Sequence, residues 1–286
     1  MWIAFAFGSA FFAGITAVLA KIGIKSTDSN LATGIRTIVI LIFSWLIVFV
    51  SGAHRSINEI SANTAAFLIL SGITAGLSWL CYFKALQQGN VNKVAAIDKT
   101  STVITVVLAV ILLREPINTL KGLCIFLIVG GTYLMMDRKN ENTGASSGIA
   151  WMLYAFASAV FASLTSIFGK IGVENIDSNL GTAIRTAVIL IMAWIVVFAA
   201  GKQQEIKQID KKSFVFLILS GLTTGLSWLC YYKALSDGKA SVVVPIDKLS
   251  IVVTALFSYF ILKEKLSIKA LAGLILITSG SLLIIL

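Results

Sequence analysis

The sequence predicts an all-α integral membrane protein of ten transmembrane helices, built as two inverted five-helix repeats. Three observations carry that prediction. Hydrophobic residues make up 58% of the 286, charged residues only 13%, and the mean hydropathy is +0.94, whereas a soluble domain carries about 25% charge. Apolar runs recur along the whole length, each long enough to cross a ~30 Å hydrocarbon core at ~1.5 Å per residue. Residues 1–137 recur as residues 150–286 at a constant offset of 149, with residues 138–149 as a polar, Gly- and Ser-containing linker. Trp2 thus matches Trp151, Asp28-Ser29-Asn30 matches Asp177-Ser178-Asn179, and Ser78-Trp79-Leu80-Cys81-Tyr82 matches Ser227-Trp228-Leu229-Cys230-Tyr231. A repeat this long, made of apolar segments, is the signature of a transporter made of two like halves.

In the first repeat the pattern places helices at 2–24, 31–51, 64–88, 94–113 and 119–136. They are separated by Ser26 to Asn30, Gly52 to Asn63, Gly89-Asn90 and Arg114-Glu115-Pro116, turn formers and charges that a bilayer core rejects. The second repeat follows the same plan at 151–173, 180–200, 213–237, 242–262 and 268–286. An odd number of crossings per half makes the second repeat enter from the opposite side, so the repeats are inverted about an axis in the membrane plane. With that topology twelve loop lysines and arginines fall on the linker side and five on the side of the termini. The positive-inside rule therefore makes the linker side cytoplasmic.

Several classes are excluded. The first apolar run lacks a basic leader and its copy at 151–169 sits mid-chain, so it reads as a helix and not a signal peptide. Cys81, Cys124 and Cys230 lie in apolar segments with neither metal nor disulfide spacing, and no cofactor or metal site is expected. The net charge of +10 has no soluble basic face to present, so lipid headgroups and a small anionic or zwitterionic metabolite are its expected partners, and nucleic acid is not. No phosphate-cradling Gly-rich loop is present, so uphill transport needs a gradient. A membrane enzyme is a rival reading, but it wants clustered ligands or a nucleophile with its base, and the single histidine, His54, is in a loop. A non-transporting structural membrane protein is the other rival.

The chemistry lies in ionisable residues inside the apolar helices: Arg36, Lys84, Asp98 and Lys99, with their copies Arg185, Lys233, Asp247 and Lys248. Such groups cost a few kcal/mol unless paired, snorkelled or wet, so each is a candidate for substrate contact. Arg36, Lys84 and Asp98 all fall ~9–12 Å below one face. The tight hairpin after Lys84 predicts Lys84–Asp98 and Lys233–Asp247 ion pairs. That leaves Arg36 and Lys99, and their copies Arg185 and Lys248, as a surplus of two cations per half, snorkelling to headgroups or receiving an anion at the midplane. The third helices add Gly72 with Gly76 and Gly221 with Gly225, the small-residue spacing that lets backbones approach in lipid. The same helices carry Ser78, Trp79 and Tyr82, and Ser227, Trp228 and Tyr231, as candidate cavity-lining residues. Trp45 and Trp194 read as packing or interfacial belt residues. Pro245 opens the ninth helix opposite Ala96 in the fourth, and a proline in a first turn is cheap. Glu115 and Glu264 read as solvated partners of Arg114 and Lys263.

Tyr82-Phe83-Lys84-Ala85-Leu86, Tyr231-Tyr232-Lys233-Ala234-Leu235 and Pro245-Ile246-Asp247-Lys248-Leu249-Ser250, with Glu115 and Glu264 closing the next helices, resemble the EamA family of the drug/metabolite transporter superfamily. The resemblance spans both halves, and the chain looks like a fused pair of the small single-repeat members. It implies ten helices in inverted repeats, a central cavity and transport, often export, of a small metabolite; the two-repeat plan adds the expectation of an exporter or exchanger working by alternating access. The expected setting is a bacterial or archaeal inner cell membrane, and the expected state a monomer or weak homodimer. It also implies cytoplasmic termini, against the loop charges above.

Overall fold

The computed structural model describes residues 1–116, 119–135, 149–174, 176–264 and 266–283. The expected linker therefore lies outside the described residues except for Ile149. In the first half the helices are α1 (Trp2–Gly23), α2 (Ser29–Ser51), α3 (Ala62–Gln88), α4 (Val91–Asp98), α5 (Ser101–Leu112) and α6 (Thr119–Met135). The second half has α7 (Ala150–Val173), α8 (Ser178–Ala199), α9 (Lys211–Asp237), α10 (Ala240–Asp247), α11 (Ser250–Phe257) and α12 (Ile268–Leu283). Among the described residues eight helical stretches are long and apolar enough to cross a membrane, α4–α5 and α10 to Leu262 each counting as one. Two shorter apolar helices, Gly122–Met135 and Ile268–Leu283, accompany them.

Helix starts are fixed by the polar residues that interrupt the apolar runs. Asp28 accepts from the Asn30 and Leu31 amides and Asp177 from those of Asn179 and Leu180, satisfying donors that a helix leaves unpaired. Ser61, Asn90 and Asp210 do the same for α3, α4 and α9. The Asp210 carboxyl is held down at about 2 by the Ser26 hydroxyl and the Ser213 amide. α2 ends on Gly52 in the left-handed region (φ 75°), its counterpart Gly201 follows Ala200 after α8 (φ 67°), and each leads into a 3₁₀ turn.

The fourth and ninth segments, expected as single helices, are each broken next to the buried aspartate. After Asp98 the amide of Thr100 bonds back only three residues, to Ile97 O (2.9 Å), and Leu249 does the same to Ile246 O (3.0 Å). Thr100 Oγ1 and Ser101 Oγ add bonds to the Ile97 and Asp98 carbonyls at 2.7 and 2.6 Å, competing with the regular ladder. Pro245 lies inside α10 and not in its first turn, because α10 begins at Ala240; it supplies no amide to the carbonyl one turn earlier. Among the described residues only the second repeat then continues into a π-helical turn, Ser258–Leu262.

The principal packing partners come from opposite halves and exchange under the repeat: α1 against α9 and α3 against α7, α2 against α8, α6 against α12. Their contacts run antiparallel. Gly8 faces Cys230 and Gly23 faces Leu217 along α1 and α9, while Ser78 meets Ser158 and Gly172 meets Leu68 along α3 and α7. The core is shared too, Ile24 and Phe83 clustering with Ala155, Val197 and Leu217. Close approach needs the expected glycines. A Cβ on Gly72 would sit 2.7 Å from Val188 Cβ, and one on Gly221 2.9 Å from Val39 Cβ.

Candidate functional site

Where α1, α3, α7 and α9 face one another, alternating hydroxyls replace apolar packing. Thr16 Oγ1 bonds Thr223 Oγ1 at 2.8 Å and its copy Thr165 Oγ1 bonds Thr74 Oγ1 at 3.0 Å. Ser9 meets Ser227 at 3.2 Å, as Ser158 meets Ser78 at 3.2 Å. Inside this frame lies a cavity of about 180 Å³ whose wall is drawn from both repeats. Trp79 and its own copy Trp228 meet in it edge to face, with centroids 5.0 Å apart.

Of the residues singled out in the sequence, Arg36, Ser78, Trp79, Tyr82, Asp98 and Lys99 line this cavity, as do Ser227, Trp228, Tyr231, Asp247 and Lys248. Arg185 is fully buried directly behind the wall, its guanidinium 4.7 Å from the Trp228 ring and 4.0 Å from that of Tyr232. Lys84 and Lys233 are not part of it. The expected Lys84–Asp98 and Lys233–Asp247 pairs do not form: Lys84 reaches Gln87 Oε1 at 3.4 Å, and Lys233 pairs one turn on with Asp237 at 3.2 Å. Both lysines sit on the half-exposed face of the last turn of their helix, turned away from the aspartate across the hairpin.

Asp98 is held instead by Lys248 of the other repeat (3.5 Å) and by its neighbour Lys99 (3.7 Å), and Lys99 also donates to Ser250 Oγ at 2.9 Å. The broken helices bring the two repeats' charges into one cluster, in place of a separate lysine–aspartate pair within each repeat. Asp247 accepts from Ser9 Oγ at 2.5 Å. Snorkelling is overturned as well, since Arg36 is 1% and Lys99 6% exposed. Arg36 lies over the Phe83 ring at 4.1 Å and donates from Nε to Ser220 Oγ (2.6 Å) and from Nη2 to Thr224 Oγ1 (2.8 Å). The residues missed in the sequence are mainly hydroxyls: Ser9, Thr16, Ser158, Thr165, Ser166 and Thr224. A signal was present, because Ser9 with Thr16 and Ser158 with Thr165 repeat at seven-residue spacing on one helical face.

At the two ends, the glutamates are not solvated partners of the adjacent cation. Glu115 accepts from the Ala240 and Ser241 amides, both at 3.0 Å, so the first repeat caps the second repeat's broken helix. Glu264 reciprocates at α4, accepting from Asn92 Nδ2 at 2.9 Å. Lys21 donates to the carbonyls of Leu86 and of Gly89, which caps α3, and Lys170 to those of Leu235 and of Gly238, which caps α9. Cation at the C-terminus and carboxylate at the N-terminus match the helix dipoles. Burial pushes the Glu264 carboxyl above its ordinary range, though Lys21 and the helix amides pull it the other way. The residue before each glutamate, Arg114 or Lys263, turns the chain at φ 53° or 57°.

The model of the EamA-like transporter family matches residues 1–137 and again 149–286. The chain belongs to the EamA-like transporter family. It is a multi-pass membrane transporter. A Sinorhizobium protein described as an uncharacterized transporter is 45% identical over 135 residues, which is 47% of this chain and 96% of that protein. An uncharacterized Methanocaldococcus jannaschii protein is 30% identical over 126 residues, 44% of this chain and 89% of its own. Each match is about the length of one repeat. A solved structure superposes with a TM-score of 0.76 at 14% identity, covering 99% of this chain and 95% of its own, and shows the fold alone.

Proposed function

We propose that the transporter is a secondary carrier with ten spans in two inverted repeats, moving a small solute with a negative group through the central cavity by alternating access, as an exporter or exchanger in the cell membrane. The observation that carries this reading is the Asp98–Lys248–Lys99 cluster inside a cavity built from both repeats. Cations outnumber carboxylates on that wall, and in reduced dielectric each attracts an anion more strongly than in water. Inversion is supported by the antiparallel run of α1 against α9, the copy of α3, and by the exchange of caps between Glu115 and Glu264. One chain supplies both halves of the cavity, which supports a monomer as the working unit.

The test is counterflow in proteoliposomes with anionic, zwitterionic and cationic metabolites. Anions should be preferred, and Lys248→Gln should cut the rate at least tenfold. Preference for a cation, unchanged in Lys248→Gln, would overturn the anionic reading.

A further inference from the structure

Arg36 and Arg185 are copies of one another, yet the structure treats them differently. The difference traces to two positions where the repeats diverge. Thr224, which takes Arg36 Nη2 at 2.8 Å, is replaced by Ala75 opposite Arg185. Phe83, beneath Arg36, is replaced by Tyr232 beneath Arg185. Arg185 therefore keeps a single hydrogen bond, Nε to Ser71 Oγ at 2.8 Å, and both Nη atoms are buried without a partner among the described residues. Arg36 leaves one nitrogen, Nη1, in that state.

We propose that Arg185 is the residue that grips the solute's negative group, while Arg36 fastens α2 to α9. The proposal rests on the anionic reading above and names the group recognised: an oxyanion with two acceptor oxygens, a carboxylate or a phosphate. The Ser71 bond and the Tyr232 and Trp228 rings fix the guanidinium plane, leaving Nη1 and Nη2 for the solute. Two such nitrogens match two such oxygens in the bidentate pairing that lysine cannot make. Leaving both without acceptors inside the protein carries a desolvation penalty, which an entering oxyanion removes. Ala75, Trp228 and Tyr232 all belong to the cavity wall, so Arg185 stands one side chain behind it. Trp228 is the cover, and its edge contact with Trp79 makes the cover sensitive to what fills the cavity.

The experiment titrates the purified full chain with potassium propionate, succinate and inorganic phosphate at constant ionic strength, reading tryptophan fluorescence, with thermal melting in parallel. Ala75→Thr rebuilds for Arg185 the hydroxyl that Arg36 already has, and should weaken binding of the best of these anions about tenfold without lowering the melting temperature. Arg185→Lys should weaken binding more than Arg36→Lys does, and Arg36→Lys should lower the melting temperature more. Equal binding losses in the two lysine variants would overturn the division of roles and leave the anionic reading intact. Unchanged binding in Ala75→Thr with a raised melting temperature would also overturn it, marking the free nitrogens as a packing defect only. If none of the three anions binds while an alkylammonium ion does, the anionic reading falls and this proposal with it.

Discussion

The carboxylate of Asp98 lies 3.5 Å from the ammonium of Lys248, a residue of the other repeat. Lys248 is the copy of Lys99, which reaches the same oxygen from 3.7 Å, so one carboxylate answers two equivalent cations. Asp247, the copy of Asp98, is left with the Ser9 hydroxyl and no ion pair among the described residues. The duplicated sequence thus carries an unequal charge arrangement. Asp98→Asn should consequently destabilise more than Asp247→Asn, by about 1–3 kcal/mol, a figure set below that for a sealed ion pair because the cluster faces a cavity. The Asp98→Asn/Lys248→Gln double variant should lose less than the sum of its singles. Melting temperatures of the wild type, the three single variants and the double variant in detergent check both statements.

Lys84→Gln and Lys233→Gln should each change stability by less than about 0.5 kcal/mol, since their partners are half-exposed and surface pairs contribute little. A loss comparable to that of Asp98→Asn would show that these lysines carry a buried interaction after all.

That pair marks the boundary of what the sequence could tell. The polar breaks between the apolar runs and the close-packing glycines are written in local patterns of turn formers, charges and small residues, whereas the split of the fourth and ninth helices is not. Matched depth placed Lys84 and Asp98 at one level, but depth says nothing about azimuth, and around the helix they point apart. Which residue meets Asp98 depends on how the chain bends between α4 and α5 at Asp98-Lys99 and between α10 and α11 at Asp247-Lys248, and no local pattern records that bend. The cross-repeat caps were equally hidden. Glu115 beside Arg114 reads as an ion pair until the other repeat's broken helix is brought to it.

Glu115→Ala should lower stability by about 1–2 kcal/mol, the usual cost of a lost helix cap, and should loosen α10 selectively. Hydrogen exchange at Ala240 and Ser241, the two amides it holds, should rise above that elsewhere in α10. Uniform acceleration over the whole chain would instead indicate global destabilisation.

Glu264 sets a pH dependence with a definite sign. Its carboxyl is raised above the ordinary value of 4.5, burial outweighing Lys21 and the helix amides. A group raised on folding favours the folded state most below its unfolded pKa, and that contribution is lost as pH climbs through the raised value. The melting temperature of the wild type relative to Glu264→Gln should therefore decline as pH rises from about 4.5. A relative rise over that range would mean the carboxylate is stabilised, as a fully satisfied cap would be.

Glycine substitutions separate the close helix crossings from the open ones. Gly→Ala inside a helix gains about 1 kcal/mol of propensity where space allows. Gly130 has nothing within 4 Å of an added Cβ, so Gly130→Ala should be neutral or stabilising. At Gly221 the same methyl would meet Val39 Cβ at 2.9 Å and the Arg36 carbonyl at 3.1 Å, one a branch point and the other backbone, neither able to swing aside. Gly221→Ala should push α9 off α2 at a cost of about 1–3 kcal/mol. Because Ser220 and Thr224 of α9 hold Arg36, the shift should also weaken that anchor. Gly221→Ala combined with Arg36→Lys should then lose less stability than the two changes do separately, and strict additivity in thermal melting would show that the crossing and the arginine anchor are independent.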